Sequence, residues 1–240
     1  MANQFQEHPC GGEFLTIWRN GRHQYWLDGE EDNKVWSVSR VIEPLGAPFG
    51  AGLGWGKKLM DEGKDPIAES NKAQAEGNYI HQLIDTYIST GQISEESKAF
   101  NSWYTEFSTH EWIASESFLF NRELGYGGTL DAVSIDPATS SLILHDWKTV
   151  DRESMEKGLV RTKKFEREKD VAQLGGYLLA LSSMFSDFIP NEIQLTYIYR
   201  DGSGVTTIPL SAEYCTDLFE ACHNLRKMRE KHNDYTKDII

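Results

Sequence analysis

The chain has 240 residues, 39% of them apolar and 12% aromatic with seven Trp, enough to bury a core and to exclude global disorder. Its three cysteines, Cys10, Cys215 and Cys222, are odd in number and lack CxxC spacing, which argues against a disulfide framework, a zinc ribbon or an iron–sulfur cluster and makes a reducing, cytoplasmic setting the expectation. The net charge of −13 speaks against broad phosphate binding, and no run approaches the ~20 apolar residues that a membrane helix needs.

In chain order, the first forty residues alternate apolar and polar in short runs, Phe14 to Trp18, Gln24 to Leu27 and Val35 to Val38, punctuated by Asn20-Gly21 and Asp28-Gly29. They read as small antiparallel strands. The start of the chain, MANQFQEHPCGGEF, has no basic stretch followed by an apolar one, so it does not read as a secretory signal. Residues 44–56, PLGAPFGAGLGWG, are rich in Gly and Pro and are expected to form a loop. From Pro66 to Thr90, the residues Ile80, Leu83, Ile84, Tyr87 and Ile88 recur at helical spacing, and Gly91 is a stop signal. A second helix is expected from Ser94 to Thr109. Strands follow at Ser115 to Phe120, Gly128 to Ile135 and Ser141 to Val150. Next come a helix with Val171, Leu174, Leu178 and Leu181 on one face, strands at Ile193 to Tyr199 and Val205 to Leu210, and a helix from Ala212 to Lys231. This order predicts an α/β or α+β domain spanning 1–240, with a mixed central sheet flanked by helices. Residues 1–60 supply N-terminal strands and a Gly-rich loop, and 66–232 supply the core.

The stretch richest in chemistry runs from Gly127-Gly128-Thr129-Leu130-Asp131 to Leu144-His145-Asp146-Trp147-Lys148. The residues between, Asp136 to Ser141, are turn formers, so the two strands form a hairpin. A symmetric closure sets Ile135 against Leu142 and Asp131 against Asp146. Alternation places Asp146 and Lys148 on one face and Trp147 on the other. Carboxylates facing each other across strands repel, and a divalent cation turns that repulsion into coordination. A lysine beside it can position or deprotonate a water, or stabilise phosphoryl charge. An isolated D-x-K is commonplace on solvated strand faces, and only the other features in order single this one out. The segment Arg161, Lys163, Lys164, Arg167 and Lys169, broken by Glu166 and Glu168, is basic within an acidic chain. It reads either as a phosphate contact or as a solvated helix face.

Taken in order, four motifs resemble the PD-(D/E)XK nuclease superfamily, in its RecB-like exonuclease branch. They are Gly77-Asn78-Tyr79-Ile80-His81, Gly128-Thr129-Leu130-Asp131, Asp146-Trp147-Lys148 and Gln173-Leu174-Gly175-Gly176-Tyr177. Glu116 lies where many members carry a glutamate, and the N-terminal strands are similar to those of small phage and mitochondrial members. The resemblance implies a restriction-endonuclease-like core with an N-terminal β-hairpin elaboration. It implies a metal-dependent deoxyribonuclease, an exonuclease in DNA processing, recombination or repair. His81, Asp131, Asp146 and Glu116 are then candidate ligands of Mg²⁺ or Mn²⁺, Lys148 the catalytic lysine, and Gln173 and Tyr177 orienting groups. Asp146 stands where glutamate is commoner. The cysteine set of the iron–sulfur relatives is missing, so that cluster is not expected. DNA is the implied partner, with Arg161, Lys163, Lys164 and Arg167 as its contacts. Small exonucleases of this kind in phage or recombination settings, acting in the host cytoplasm when phage-encoded, often work with a single-strand annealing protein.

The remaining residues are weighed on their own chemistry. His81 lies at the edge of its helix's apolar stripe, where it can reach a cleft, and an imidazole suits manganese better than magnesium. Gln173 and Tyr177 share a helix face. Between them Gly175 and Gly176 each cost about 1 kcal/mol of helix propensity, so they mark a close approach of a ligand or of another backbone. Glu76 projects toward the apolar side near Ile80 and Leu83, where a buried carboxylate needs a basic partner or the metal site. Two other classes fit the same residues: a catalytically silent DNA-binding or protein-interaction module on this fold, and a globular protein with chance motifs.

Overall fold

A computed structural model describes residues 4–7, 13–19, 22–27, 34–45, 49–162, 166–186 and 189–237. Four N-terminal strands, β1 (Gln4–Glu7), β2 (Glu13–Arg19), β3 (Arg22–Leu27) and β4 (Lys34–Ser37), lead into a short helix, α1 (Val38–Val41). The Gly-rich run is not a loop throughout. A 3-10 turn spans Glu43–Leu45, and α2 (Phe49–Asp61) then forms against α3, with Leu59 buried and a Cβ on Gly56 falling 3.9 Å from the ring of Pro66. Tertiary packing overrides the weak helix propensity of glycine there.

The helix expected from Pro66 to Thr90 has those bounds. Asp65 caps α3 (Pro66–Thr90) by accepting from Ile67 N, and Gly91 ends it in the left-handed conformation at φ 76°. These ends follow from chemistry visible in the sequence: an N-cap carboxylate, proline in the first turn and glycine beyond the last. Next come α4 (Lys98–Phe107), β5 (Glu111–Asn121), β6 (Tyr126–Asp136) and β7 (Ser141–Val150). An additional helix, α5 (Arg152–Thr162), precedes α6 (Glu168–Met184), β8 (Glu192–Tyr199), β9 (Val205–Leu210) and α7 (Ala212–Lys237).

The nine strands form one mixed sheet in the order β1-β2-β3-β4-β6-β7-β8-β9, with β5 paired to β6. Helices α1, α6 and α7 cover one face through Val38, Val171, Leu174, Leu178 and Phe219. Helices α3 and α4 cover the other through Ile80, Ile84, Phe100 and Trp103, packed against Ala132 and Trp147. Gly175 and Gly176 belong to this architecture. A Cβ on Gly175 would lie 2.0 Å from the carbonyl oxygen of Cys215, and one on Gly176 would lie 2.6 Å from the Phe219 ring. Of the two readings of that glycine pair, close approach of α7 is the one realised.

The hairpin register matches the symmetric closure only as far as Ala132↔His145. One edge of β6 is held by β5. The other is held by β4 at Tyr126 and Gly127 and by β7 from Ala132 to Asp136. Between those two partners, Gly128 to Asp131 pair with no strand on that edge among the described residues. The sheet is therefore open where β4 and β7 diverge, and Asp131 stands at the end of the opening.

Candidate metal and phosphate cleft

Asp131 replaces the interrupted ladder with its side chain. Its Oδ2 accepts from Trp147 N at 2.6 Å, so the carboxylate spans to β7 where the backbone pairing has stopped. Its Oδ1 is left facing His81, whose Nδ1 is 3.6 Å away. Glu116 Oε1 lies 3.5 Å from the same nitrogen. Ligand atoms of His81, Glu116 and Asp131, carried by α3, β5 and β6, all fall within 4.8 Å of one another. They share an open cleft of about 600 Å³ with Lys148, Arg167, Asp85, Gln74, Asn78 and Gln82. Gly77 lines it as well, with nothing within 4 Å of a Cβ built there.

Glu116 has φ 42°, inside a strand. A non-glycine residue in the left-handed region costs on the order of 1–3 kcal/mol and persists only where its surroundings hold it. The geometric effect is specific. Ser115 and Glu116 are consecutive, yet both reach α3, Ser115 at Asp85 and Glu116 at His81. Regular strand alternation would send them to opposite faces.

Asp146 lies deeper. It is fully buried, and neither carboxylate oxygen accepts a well-directed hydrogen bond, although Lys148 Nζ is 2.5 Å from Oδ2 as an ion pair. Burial raises the Asp146 carboxyl well above the usual range. Lys148 opposes that rise and Asp131 adds to it. For Lys148 the balance is reversed. Burial favours the neutral amine, but the Asp146, Asp131 and Asp170 carboxylates outweigh it, and the ammonium is held beyond its ordinary range. His81 follows the same logic. Desolvation pulls it down, Asp131 and Glu116 pull it up, and the balance raises it to about 9. Without a metal, an imidazolium proton therefore offsets the charge of those carboxylates at neutral pH.

Gln173 Nε2 donates to the Tyr177 hydroxyl at 2.7 Å. Tyr177 is buried against the opening, since a Cβ on Gly128 would lie 2.8 Å from its ring. Burial, with the Asp146 and Asp131 charges behind it, lifts the phenol well above its normal range. Among the basic residues, Arg167 lines the cleft, with its guanidinium 5.9 Å from the centre of the Tyr197 ring. Arg161 lies in α5, and its side chain is not among those described; Lys163 and Lys164 lie outside the described residues. Glu76 is not buried. It is exposed on the part of α3 that precedes the apolar stripe, and it pairs with Arg200 Nε at 3.4 Å.

Two acidic residues escaped the sequence reading. Asp170 is buried in the first turn of α6 and accepts from the Tyr197 hydroxyl at 3.1 Å. Its position three residues before Gln173 was an available signal, because i and i+3 share a helix face. Asp85, one turn beyond His81, was available in the same way.

No protein-family model and no curated protein matches the sequence. Solved structures similar in outline include an alkaline exonuclease from Laribacter hongkongensis, at 12% identity and TM-score 0.46, covering 84% of this chain and 91% of that one. The same enzyme in complex with dAMP is 13% identical at TM-score 0.46, covering 85% and 92%. SSO0001 is 15% identical at TM-score 0.38, covering 79% and 75%. Among the described residues, no helix is long and apolar enough to cross a membrane.

Proposed function

We propose that the chain is a divalent-metal-dependent deoxyribonuclease, an exonuclease that hydrolyses phosphodiester bonds in this cleft. One observation carries the reading: His81, Glu116 and Asp131, from three separate elements, converge within 4.8 Å beside a lysine. The donor set suits Mg²⁺ or Mn²⁺, with carboxylate oxygens for a hard cation and one imidazole that favours manganese. Asp146, buried with oxygens that accept no well-directed hydrogen bond, fits the same need for a cation. His81, Glu116, Asp131 and Asp146 would hold the ion, which when bound lowers the pKa of water and neutralises phosphate charge.

The chain's own groups have distinct tasks. Lys148, whose ammonium three carboxylates favour, supplies a cation for a phosphoryl oxygen. The hydroxyl of Tyr177 accepts from Gln173, which leaves its own proton available to donate. Arg167 contacts a phosphate at the cleft wall, and the amides of Gln74, Asn78 and Gln82 offer uncharged donors along α3. The acidic remainder of the chain repels DNA elsewhere, so affinity falls with salt through few contacts.

The test incubates linear and circular DNA with Mg²⁺, Mn²⁺ or EDTA, using the wild type and Lys148→Ala. The expected result is metal-dependent loss of linear DNA only, abolished by EDTA and about 10²–10³-fold slower in the variant. Equal loss in every lane, or none in any, rules the reading out. Metal-dependent loss of circular DNA overturns the exonuclease assignment alone.

A further inference from the structure

The kink at Glu116 needs something to hold it, and the residue placed to do so is Asp85. Its Oδ1 accepts from Ser115 Oγ at 2.5 Å, in a partly buried contact between α3 and β5. Ser115 is fixed from its other side, since its carbonyl accepts from Ser117 Oγ at 3.0 Å. Asp85 lies one helical turn beyond His81, so both line the same wall of the cleft. The helix thus touches two consecutive strand residues at once, Ser115 through Asp85 and Glu116 through His81. Only the left-handed backbone at Glu116 makes that double contact possible.

We propose that Asp85 is a positioning residue that acts through the Ser115 hydroxyl to hold Glu116 over His81 and Asp131. The proposal rests on the reading of Glu116 as a metal ligand. Asp85 itself stands outside the group of converging ligand atoms, and its role is to fix the strand that delivers one of them. What the role requires is an acceptor oxygen at Asp85, and its charge is incidental. That separates it from a ligand and from a generic fold contact.

The test is Mn²⁺ binding to the full chain, followed by calorimetry and by the electron paramagnetic resonance of the free ion, without DNA. Asp85→Ala and Ser115→Ala are each expected to bind about tenfold or more weakly, the usual cost of removing a group that orients a ligand. The double variant should be no weaker than either single one, because the two act as one unit. Asp85→Asn keeps an acceptor oxygen and should recover most of the affinity. Melting is recorded in parallel; if Asp85→Ala does not fold, Ser115→Ala and Asp85→Asn carry the comparison. Wild-type affinity in Ser115→Ala overturns the proposal, as does Asp85→Asn binding as weakly as Asp85→Ala. A wild-type chain that binds no Mn²⁺ overturns the metal reading and the positioning role with it, an outcome distinct from the other two.

Discussion

Strand β7 borders two regions built on opposite principles. His145 and Trp147 enter an aromatic layer in which Trp147 lies 5.6 Å from both Trp103 and Phe107, ring centre to ring centre, and 4.8 Å from His145. Lys148, alternating with them, lines the charged cleft, and the buried Asp146 pairs with it. A polar chain runs through the aromatic layer: His110 Nδ1 meets Ser134 Oγ at 2.9 Å, and Ser134 Oγ meets His145 Nε2 at 2.8 Å. The cleft gathers carboxylates that repel one another around a lysine and a protonated histidine. Stability is concentrated on one side of the strand and chemistry on the other, so substitutions a single residue apart should separate the two.

The largest effect on stability should come from Trp103→Ala. Trp103 is fully buried at the centre of the aromatic layer, so its loss should cost about 3–5 kcal/mol by urea unfolding. If the regions are as distinct as they look, Mn²⁺ affinity of the folded fraction should be nearly unchanged. Affinity that falls in step with stability would break the comparison.

The buried His145 and the half-buried His81 sharpen it. Burial, with His110 adding, drives His145 well below its ordinary 6.5. An unfolded chain takes up that proton first as pH falls, so the His145 contribution is present above about 6.5 and is lost toward acid, by up to about 1.4 kcal/mol per pH unit. His81, raised to about 9, behaves in reverse. Its contribution is complete below about 6.5 and disappears as pH rises through 9. Between about pH 4 and about pH 7 the raised Asp146 carboxyl opposes the His145 slope, so urea unfolding in EDTA should be nearly flat in acid and fall on the alkaline side, toward about pH 9. His81→Gln should flatten the alkaline limb, and His145→Gln should leave stability falling with rising pH through the acid range as well. An alkaline limb that survives His81→Gln contradicts the assignment. Because a ligating imidazole must be neutral, Mn²⁺ affinity should also climb with pH until His81 is deprotonated.

The smallest effect is at Glu116. Replacing it with Gly removes the left-handed strain and should raise the melting midpoint of the metal-free protein by about 2–4 °C, while weakening Mn²⁺ binding. A lower midpoint would mean that the conformation is not strained.

Much of this was legible in residue order. The bounds of α3 followed from its apolar spacing and from Gly91, and the hairpin register followed from the turn residues 136–141 as far as Ala132↔His145, short of the expected Asp131–Asp146 facing. Of the motif residues, His81, Asp131 and Lys148 line one cleft, and the Tyr177 ring packs at Gly128. What stayed hidden depends on contacts distant in sequence. Helix α2 forms despite its glycines because α3 supports it. The ladder ends at Ala132 because Asp131 reaches across to Trp147 N, which no alternation rule foresees. Glu76 looked buried because helical periodicity was projected back to a turn that nothing covers. The pairs Asp85–Ser115 and Ser134–His145 join ordinary polar residues, whose meaning appears only once the strands are placed.

The glycine pair in α6 has a consequence for the order of synthesis. Helix α6 brings Gln173 and Tyr177 to the opening, but it is seated by α7, through the backbone at Cys215 and the ring of Phe219. On the ribosome, Asp131, Asp146 and Lys148 emerge well before those seating residues. A nascent chain thus carries its charged groups before the residues that seat Gln173 and Tyr177 have been made.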